Sequence, residues 1–307
     1  MDPARIDEGA AVCDVRASLA RGLTELTAAG VDSPALAAEL LLMHVLGRDR
    51  AWVYAHPECA LGAGQLADYR GLLERRAAGV PTQYLTGTQE FWGLEFEVTR
   101  DVLIPRPETE HLVEVALERL GARREEALRI ADVGTGSGCL AVALAKEFSH
   151  ARVTATDISR AALLVAARNA ARHGGAERVE FREMNLLSSL LTASPTRIGA
   201  RFDLIVSNPP YVGRNEEAQL QREVRDHEPA QALYGGADGL HLYPALVSQA
   251  ESLLEPGGIF VVELGHGGAD RVRPLFQDEA WTDVAITPDL AGIPRVLSAQ
   301  RASSDRK

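Results

Sequence analysis

Four consecutive residues, Asn208-Pro209-Pro210-Tyr211, concentrate the most chemistry in this chain of 307 residues. The two prolines hold φ near roughly −65° and remove two backbone donors, so the segment presents a rigid edge of acceptors. Such an edge suits an NH2 group. An amide or aromatic amino nitrogen is a poor nucleophile because its lone pair is delocalised into the neighbouring carbonyl or ring. If the side-chain oxygen of Asn208 and the carbonyl of Pro209 accept its two hydrogens, the lone pair is left facing an electrophile held in line, and developing positive charge is stabilised. No strong base is required. Tyr211 adds an aromatic face for a planar group. The plainer alternative is a stiff loop after a strand, since Asn-Pro commonly starts a turn.

A second cluster lies upstream. Asp132-Val133-Gly134-Thr135-Gly136-Ser137-Gly138 stands where an apolar strand ends and a helix begins, a place where backbone N–H groups and close approach to a ligand are available. The spacing is G-x-G-x-G. A dinucleotide fingerprint would put its third glycine at the position of Cys139, which weakens a hydride-transfer reading. A tight turn with no ligand is the alternative. The next strand is expected to end at Asp157, inside the roughly 20-residue window for a carboxylate that accepts ribose hydroxyls. Taken alone, Asp157 before Ile158-Ser159 also reads as a helix N-cap. After the third strand, Asn185 and Leu186 occupy the place of an adenine ring in such a fold. Asn185 offers hydrogen bonds and Leu186 a packing face, with a surface turn as the competing reading.

These residues need a scaffold, and the pattern supplies one. Residues 14–79 read as a small helical domain: Val15, Leu19, Leu23 and Leu26 share one face, Asp32 or Ser33 caps the Leu36, Leu40, Leu41 and Val45 stripe, and Leu66, Tyr69, Leu72 and Leu73 follow. Residues 80–107 change character and read as a hairpin connector carrying Phe91-Trp92 and the alternating Leu94, Phe96 and Val98. Over 108–300, strands near Ile130–Val133, Val153–Thr156, Val179–Phe181, Leu204–Val206 and Ile259–Val262 alternate with helices, and two strands near Val284–Ile286 and Arg295–Ser298 close the chain. This alternation predicts an α/β fold with a mostly parallel, seven-stranded, Rossmann-like sheet, and ligands beyond the carboxyl ends of its strands. Arg301 to Lys307 read as an unstructured tail.

Composition narrows the function. A formal net charge of −11 opposes generic binding to phosphate backbones, so no stable nucleic-acid partner is expected. Asp2, Asp7, Glu8 and Asp14 interrupt any apolar leader, and no apolar run is long enough for a membrane helix, so a cytoplasmic protein without membrane attachment is expected. Cys13, Cys59 and Cys139 have no C-x-x-C spacing and the eight histidines no metal-binding spacing, so no metal is expected. Cys139 reads as a small packing residue.

The glycine loop together with Asn208 to Tyr211 resembles the class I methyltransferases that act on planar nitrogens. Pro81 to Gly87 running to Phe91-Trp92-Gly93, the segment Leu103 to Glu110, and Glu228-Pro229 through Asp238-Gly239-Leu240 are similar to the bacterial release factor glutamine methyltransferases. The resemblance covers nearly the whole chain. It implies S-adenosyl-L-methionine as cofactor and peptide-chain release factors as protein substrates, docked by the helical domain and methylated on the glutamine N5 of a Gly-Gly-Gln loop. Carried over by residue, Gly134, Thr135, Gly136, Ser137, Gly138 and Asp157 would hold the cofactor, with Asn208 also contacting it, Asn185 and Leu186 would flank its adenine, and Asn208, Pro209, Pro210 and Tyr211 would bind the amide, with Asn208, Pro209 and Tyr211 as the catalytic residues. Position 185 departs from the acidic residue common in that family. Val212 to Gly239 is too long for an idle loop and reads as a substrate-side lid, where Arg222, Arg225 and Asp226 could meet the partner or simply form a solvated charged face. Arg106 and Glu108 read as positioning the lid or the substrate, or as forming a purely structural ion pair. Two other readings stand beside this one: an adenine-N6 methyltransferase of DNA or RNA, and a non-catalytic binding protein for translation factors.

Overall fold

The computed structural model describes residues 13–191 and 201–303, so Asp2, Asp7 and Glu8 and the tail from Ser304 lie outside the described residues. The chain divides into two compact units, one containing residues up to Gly87 and Arg222–His227, the other Thr88–Gln221 and Glu228 onward.

The first unit is helical: α1 (Val15–Ala28), α2 (Pro34–Leu46), α3 (Arg50–Ala55), α4 (Ala63–Ala77) and α5 (Thr82–Thr86). Asp14 caps α1 by accepting the Ala17 N–H at 2.8 Å, and Asp49 caps α3 by accepting the Trp52 N–H at 2.8 Å. Ser33 holds the N-cap position of α2 without a side-chain bond. The buried faces differ from the leucine stripes expected from sequence. On α1 they are Val15, Ser18, Gly22 and Leu26, while Leu23 is exposed; on α2, Leu36 is exposed and Ala37, Ala38, Leu41 and Leu42 are buried. The reason is close helix approach. A Cβ on Gly22 would collide with the Tyr69 hydroxyl and stand 3.0 Å from the Ala38 Cβ, so small residues form this seam, and Leu23 and Leu36 are turned outward.

In the second unit a hairpin, β1 (Thr88–Phe91) and β2 (Leu94–Glu97), precedes α6 (Glu110–Leu120). The expected connector thus divides: Thr82–Thr86 is helical and belongs to the first unit, whereas the hairpin buries Phe91 and Phe96 in the core of the second. Then follow β3 (Arg129–Val133), α7 (Cys139–Glu147), β4 (Arg152–Asp157), α8 (Arg160–Arg172), β5 (Val179–Glu183), α9 (Ser188–Leu191) and β6 (Phe202–Ser207). After these come α10 (Arg222–His227), α11 (Ala230–Leu233), α12 (Tyr243–Leu253), β7 (Leu254–Glu263), α13 (Ala269–Val272), β8 (Trp281–Pro288) and β9 (Pro294–Arg301). Arg301 therefore ends a strand and is not part of a tail. The segment expected as a lid also carries structure. Its α10 clusters with the first unit through Arg76 and Glu223 at 2.6 Å and through Arg222, which donates to the Ala78 carbonyl at 2.9 Å.

The seven strands lie in the order β5-β4-β3-β6-β7-β9-β8, and only β9 runs against the others. Alternation sorts their side chains between two cores. Ile130, Leu204, Val206, Ile259 and Val261 face α6, α7 and the hairpin, while Ala131, Val133, Ile205, Phe260 and Val262 face α12 and the Phe276–Trp281 cluster. The strand order reverses between β3 and β6, the switch point at which an open α/β sheet leaves a crevice. No helix among the described residues is long and apolar enough to cross a membrane.

Candidate active site

Register brings the two chemical segments together. Val133 of β3 pairs with Ser207 of β6, and Ser207 pairs with Val262 of β7, so the glycine loop, Asn208 and Glu263 leave the sheet at one level. The Ser207 hydroxyl, fully buried, donates to the Val133 carbonyl at 2.8 Å and fixes the first two segments side by side.

The glycine loop is a compact turn. Gly134 and Thr135 both donate backbone N–H groups to the Thr156 carbonyl at 2.9 Å, and the Thr135 hydroxyl donates to Asp132 at 2.6 Å. Gly134, Gly136 and Gly138 all have positive φ. At Gly138, where φ is 81°, a Cβ would also stand 2.9 Å from the Ala166 Cβ of α8, so only glycine fits. Burial pushes the Asp132 carboxyl up to about 7 despite the Thr135 hydroxyl and the Ala141 N–H it accepts. Its Oδ1 is buried with no hydrogen-bond partner.

Asp157 is not the N-cap of α8; Ser159 is, accepting the Ala162 N–H. The Asp157 carboxylate instead accepts the Gly136 N–H at 3.0 Å and the Ser159 N–H at 2.8 Å. Burial raises its pKa, opposed by the N–H groups of Ser159, Gly136 and Ile158. Behind the loop, the Asn169 amide accepts the Glu97 N–H at 2.7 Å and donates to the carbonyls of Glu97 at 3.0 Å and Ser137 at 2.9 Å. One side chain thereby ties β2, α8 and the glycine loop together.

Between these elements opens a cavity of about 360 Å³, within the size range of small-molecule sites. Its lining includes Gly134, Thr135, Gly136, Ser137, Asp157, Asn185, Leu186, Asn208 and Pro210. Three residues expected at the site lie outside that lining. Gly138 sits beneath the loop as the N-cap of α7; Pro209 is buried; and the Tyr211 ring packs where a Cβ on Gly265 would stand 2.9 Å away. The lining also includes Arg106, read from sequence as positioning the lid or the substrate, and Leu103, Thr109 and His241, which sequence reading did not assign to the pocket. Arg106 pairs with buried Glu228 at 2.5 Å, and Glu228 also accepts the Ile104 N–H at 3.2 Å.

The Asn208 amide nitrogen donates to the Thr109 hydroxyl at 2.9 Å, which donates to Glu263 Oε2 at 2.8 Å; Glu263 Oε1 accepts the Tyr211 hydroxyl at 3.2 Å. Burial pushes Glu263 up to about 7. Burial and Glu263 together raise the Tyr211 phenol, which stays a donor. Burial also pushes the Cys139 thiol up to about 12, which leaves it an inert packing group.

The comparisons with known proteins agree with this architecture. The family model described as the PrmC N-terminal domain matches residues 18–87, and that of the methyltransferase small domain matches residues 110–228. A curated release factor glutamine methyltransferase from Koribacter versatilis is 48% identical over 92% of this chain and 96% of its own. Another, from Geobacter sulfurreducens, is 45% identical over 88% and 91%. Among solved structures, the hMettl16 catalytic domain in complex with MAT2A 3'UTR hairpin 1 superposes with a TM-score of 0.55 at 14% identity, over 76% of this chain and 81% of that one, a likeness of fold alone. With two relatives this similar over nearly their full lengths, the chain belongs to the release factor glutamine methyltransferase family.

Proposed function

We propose that this chain uses S-adenosyl-L-methionine to methylate the side-chain nitrogen of the glutamine in the Gly-Gly-Gln loop of peptide-chain release factors. The observation that carries the reading is the Asn208 amide, turned by Thr109 so that its oxygen is the group left for a ligand, at the edge of a cavity whose other wall is the glycine loop. The residues present suit the cofactor. Asp157 keeps lone-pair capacity for ribose hydroxyls beside the backbone N–H groups it accepts, Asn185 and Leu186 flank the adenine end, and Gly134 to Ser137 let backbone approach closely. When bound, it supplies a methyl group activated by the sulfonium.

Asn208 Oδ1 and the Pro209 carbonyl would accept the two hydrogens of the glutamine amide, turning its lone pair toward that methyl. As positive charge develops on nitrogen, both acceptors stabilise it, and the surplus proton passes to solvent after transfer. Tyr211, held by Glu263 and outside the cavity lining, braces the Asn-Pro-Pro segment in place of the stacking platform its residue type suggests. The helical unit is assigned to docking the release factor. Mass spectrometry of an unmethylated release factor incubated with the protein and S-adenosyl-L-methionine tests the reading. A gain of one CH2 unit on the Gly-Gly-Gln peptide is expected. An unchanged peptide beside methylated duplex DNA would transfer the case to adenine.

The role given to Asp157 predicts a pH dependence. Only its carboxylate form accepts two hydroxyls, and burial raises its pKa above the ordinary carboxylate value. Cofactor affinity should thus fall as the pH is lowered through a window above that ordinary value. Titration calorimetry should show Asp157→Asn weakened at least about tenfold near neutral pH, each hydrogen bond to a charged group being worth about 1.5–3 kcal/mol, with the pH-dependent loss much reduced.

A further inference from the structure

Asn208 can present either face of its carboxamide to a substrate, and the two faces have opposite chemistry. With the oxygen inward it accepts a hydrogen from an NH2 group; with the nitrogen inward it repels one. Within the asparagine itself, nothing chooses between them.

The surroundings do choose. The group next to the Asn208 amide is the Thr109 hydroxyl, which has one hydrogen and can donate or accept. That hydrogen is claimed at 2.8 Å by Glu263, whose buried side chain is 1% exposed and has the Tyr211 hydroxyl on its other oxygen. Above about pH 7, where Glu263 is ionised, its carboxylate only accepts. Thr109 therefore donates to Glu263 and has only lone pairs for Asn208, which must answer with its NH2 group. Bond polarity propagates through three residues, and the last of them has its oxygen left for the substrate. Each link is held by the fold. Thr109 ends a 3-10 turn begun by Pro107 and is 3% exposed, Glu263 closes β7 with its carbonyl taken by the Tyr243 hydroxyl at 2.8 Å, and Asn208 follows β6 beside it.

We propose that Thr109 and Glu263 are positioning residues for the methyl-accepting amide, fixing the Asn208 carboxamide with its oxygen toward the substrate. The proposal rests on the glutamine reading above. Neither residue need touch the substrate. Losing the relay frees the Asn208 amide to turn over, about a twofold loss where the two faces are equally populated, and to drift from its in-line position, where a displacement of about 1 Å can cost about 100-fold.

Four variants separate this from a packing role. Thr109→Val keeps the shape and removes the hydroxyl, whereas Thr109→Ser keeps the hydroxyl and removes the methyl. Glu263→Leu removes the acceptor, whereas Glu263→Gln retains a carbonyl oxygen for Thr109 and an NH2 for the Tyr211 oxygen. Single-turnover methylation of a release factor, with cofactor affinity measured by calorimetry, should divide them by hydrogen-bonding capacity. Thr109→Val and Glu263→Leu are expected to lose about 100-fold in the transfer rate, comparable with the loss of one preorganised hydrogen bond at a transition state, with cofactor affinity and KM nearly unchanged. Thr109→Ser and Glu263→Gln should remain within about tenfold of wild type. A Thr109→Val enzyme with wild-type turnover would overturn the proposal, as would a Thr109→Ser enzyme as slow as Thr109→Val. Wild-type protein that leaves the release factor unmodified would instead remove the glutamine reading itself, before any variant is compared.

Discussion

Asn208→Ala should retain S-adenosyl-L-methionine affinity within a few-fold of wild type while methyl transfer falls by about 100- to 1,000-fold, the cost typical of losing one hydrogen-bonding group aimed at developing charge. The split follows from where the side chain stands. Cofactor contacts are assigned to the glycine loop, Asp157, Asn185 and Leu186, all on the β3 to β5 side of the cavity, while Asn208 comes from β6 across the switch point. Alanine leaves Pro209 and Pro210 in place, so the backbone course should survive. What disappears is the side-chain acceptor, together with the donor that occupies the Thr109 hydroxyl. Quench-flow turnover under saturating cofactor, set beside calorimetric affinity, measures both halves. Near-normal turnover would remove Asn208 from the mechanism.

Gly138→Val should damage fold and cofactor binding together. A φ of 81° costs a non-glycine residue about 1–2 kcal/mol. The new side chain must also displace Ala166, whose Cα stands 3.1 Å from the Cβ position, and overpacking of this kind costs about 1–3 kcal/mol. Together these predict a loss of about 2–5 kcal/mol and, for a unit of this size, a Tm lower by about 5–15 °C in calorimetry. Because α7 and α8 would separate where the loop joins them, cofactor affinity should fall as well. A variant with unchanged Tm would mean that the α7–α8 contact gives way freely.

The sheet was legible because its strands are short apolar runs that end in glycine, proline or a lone polar residue, and the meeting of the glycine loop with Asn208 follows from strand order. The helical seam was less so. Leu23 and Leu36 look like core in a periodic reading, but Gly22 and Ala38 are what let the helices meet, and small residues carry little signal in a pattern of hydrophobicity. The site divides the same way. Asn208 and the glycine loop announce themselves as contiguous motifs. The Thr109 to Glu263 bond spans 154 positions, and no local pattern marks it beyond an acidic residue closing the apolar run Ile259 to Val262. Tyr211 was read from its aromatic face, but its hydroxyl proves the better constrained end.

Asn169 has one more consequence, for the hairpin. Its carboxamide engages both the N–H and the carbonyl of Glu97, as a neighbouring strand's peptide group would. At that residue β2 has neither donor nor acceptor to offer another chain, and a two-stranded ribbon is otherwise an inviting template for strand addition. The side chain that braces the glycine loop also closes this part of the ribbon to intermolecular pairing.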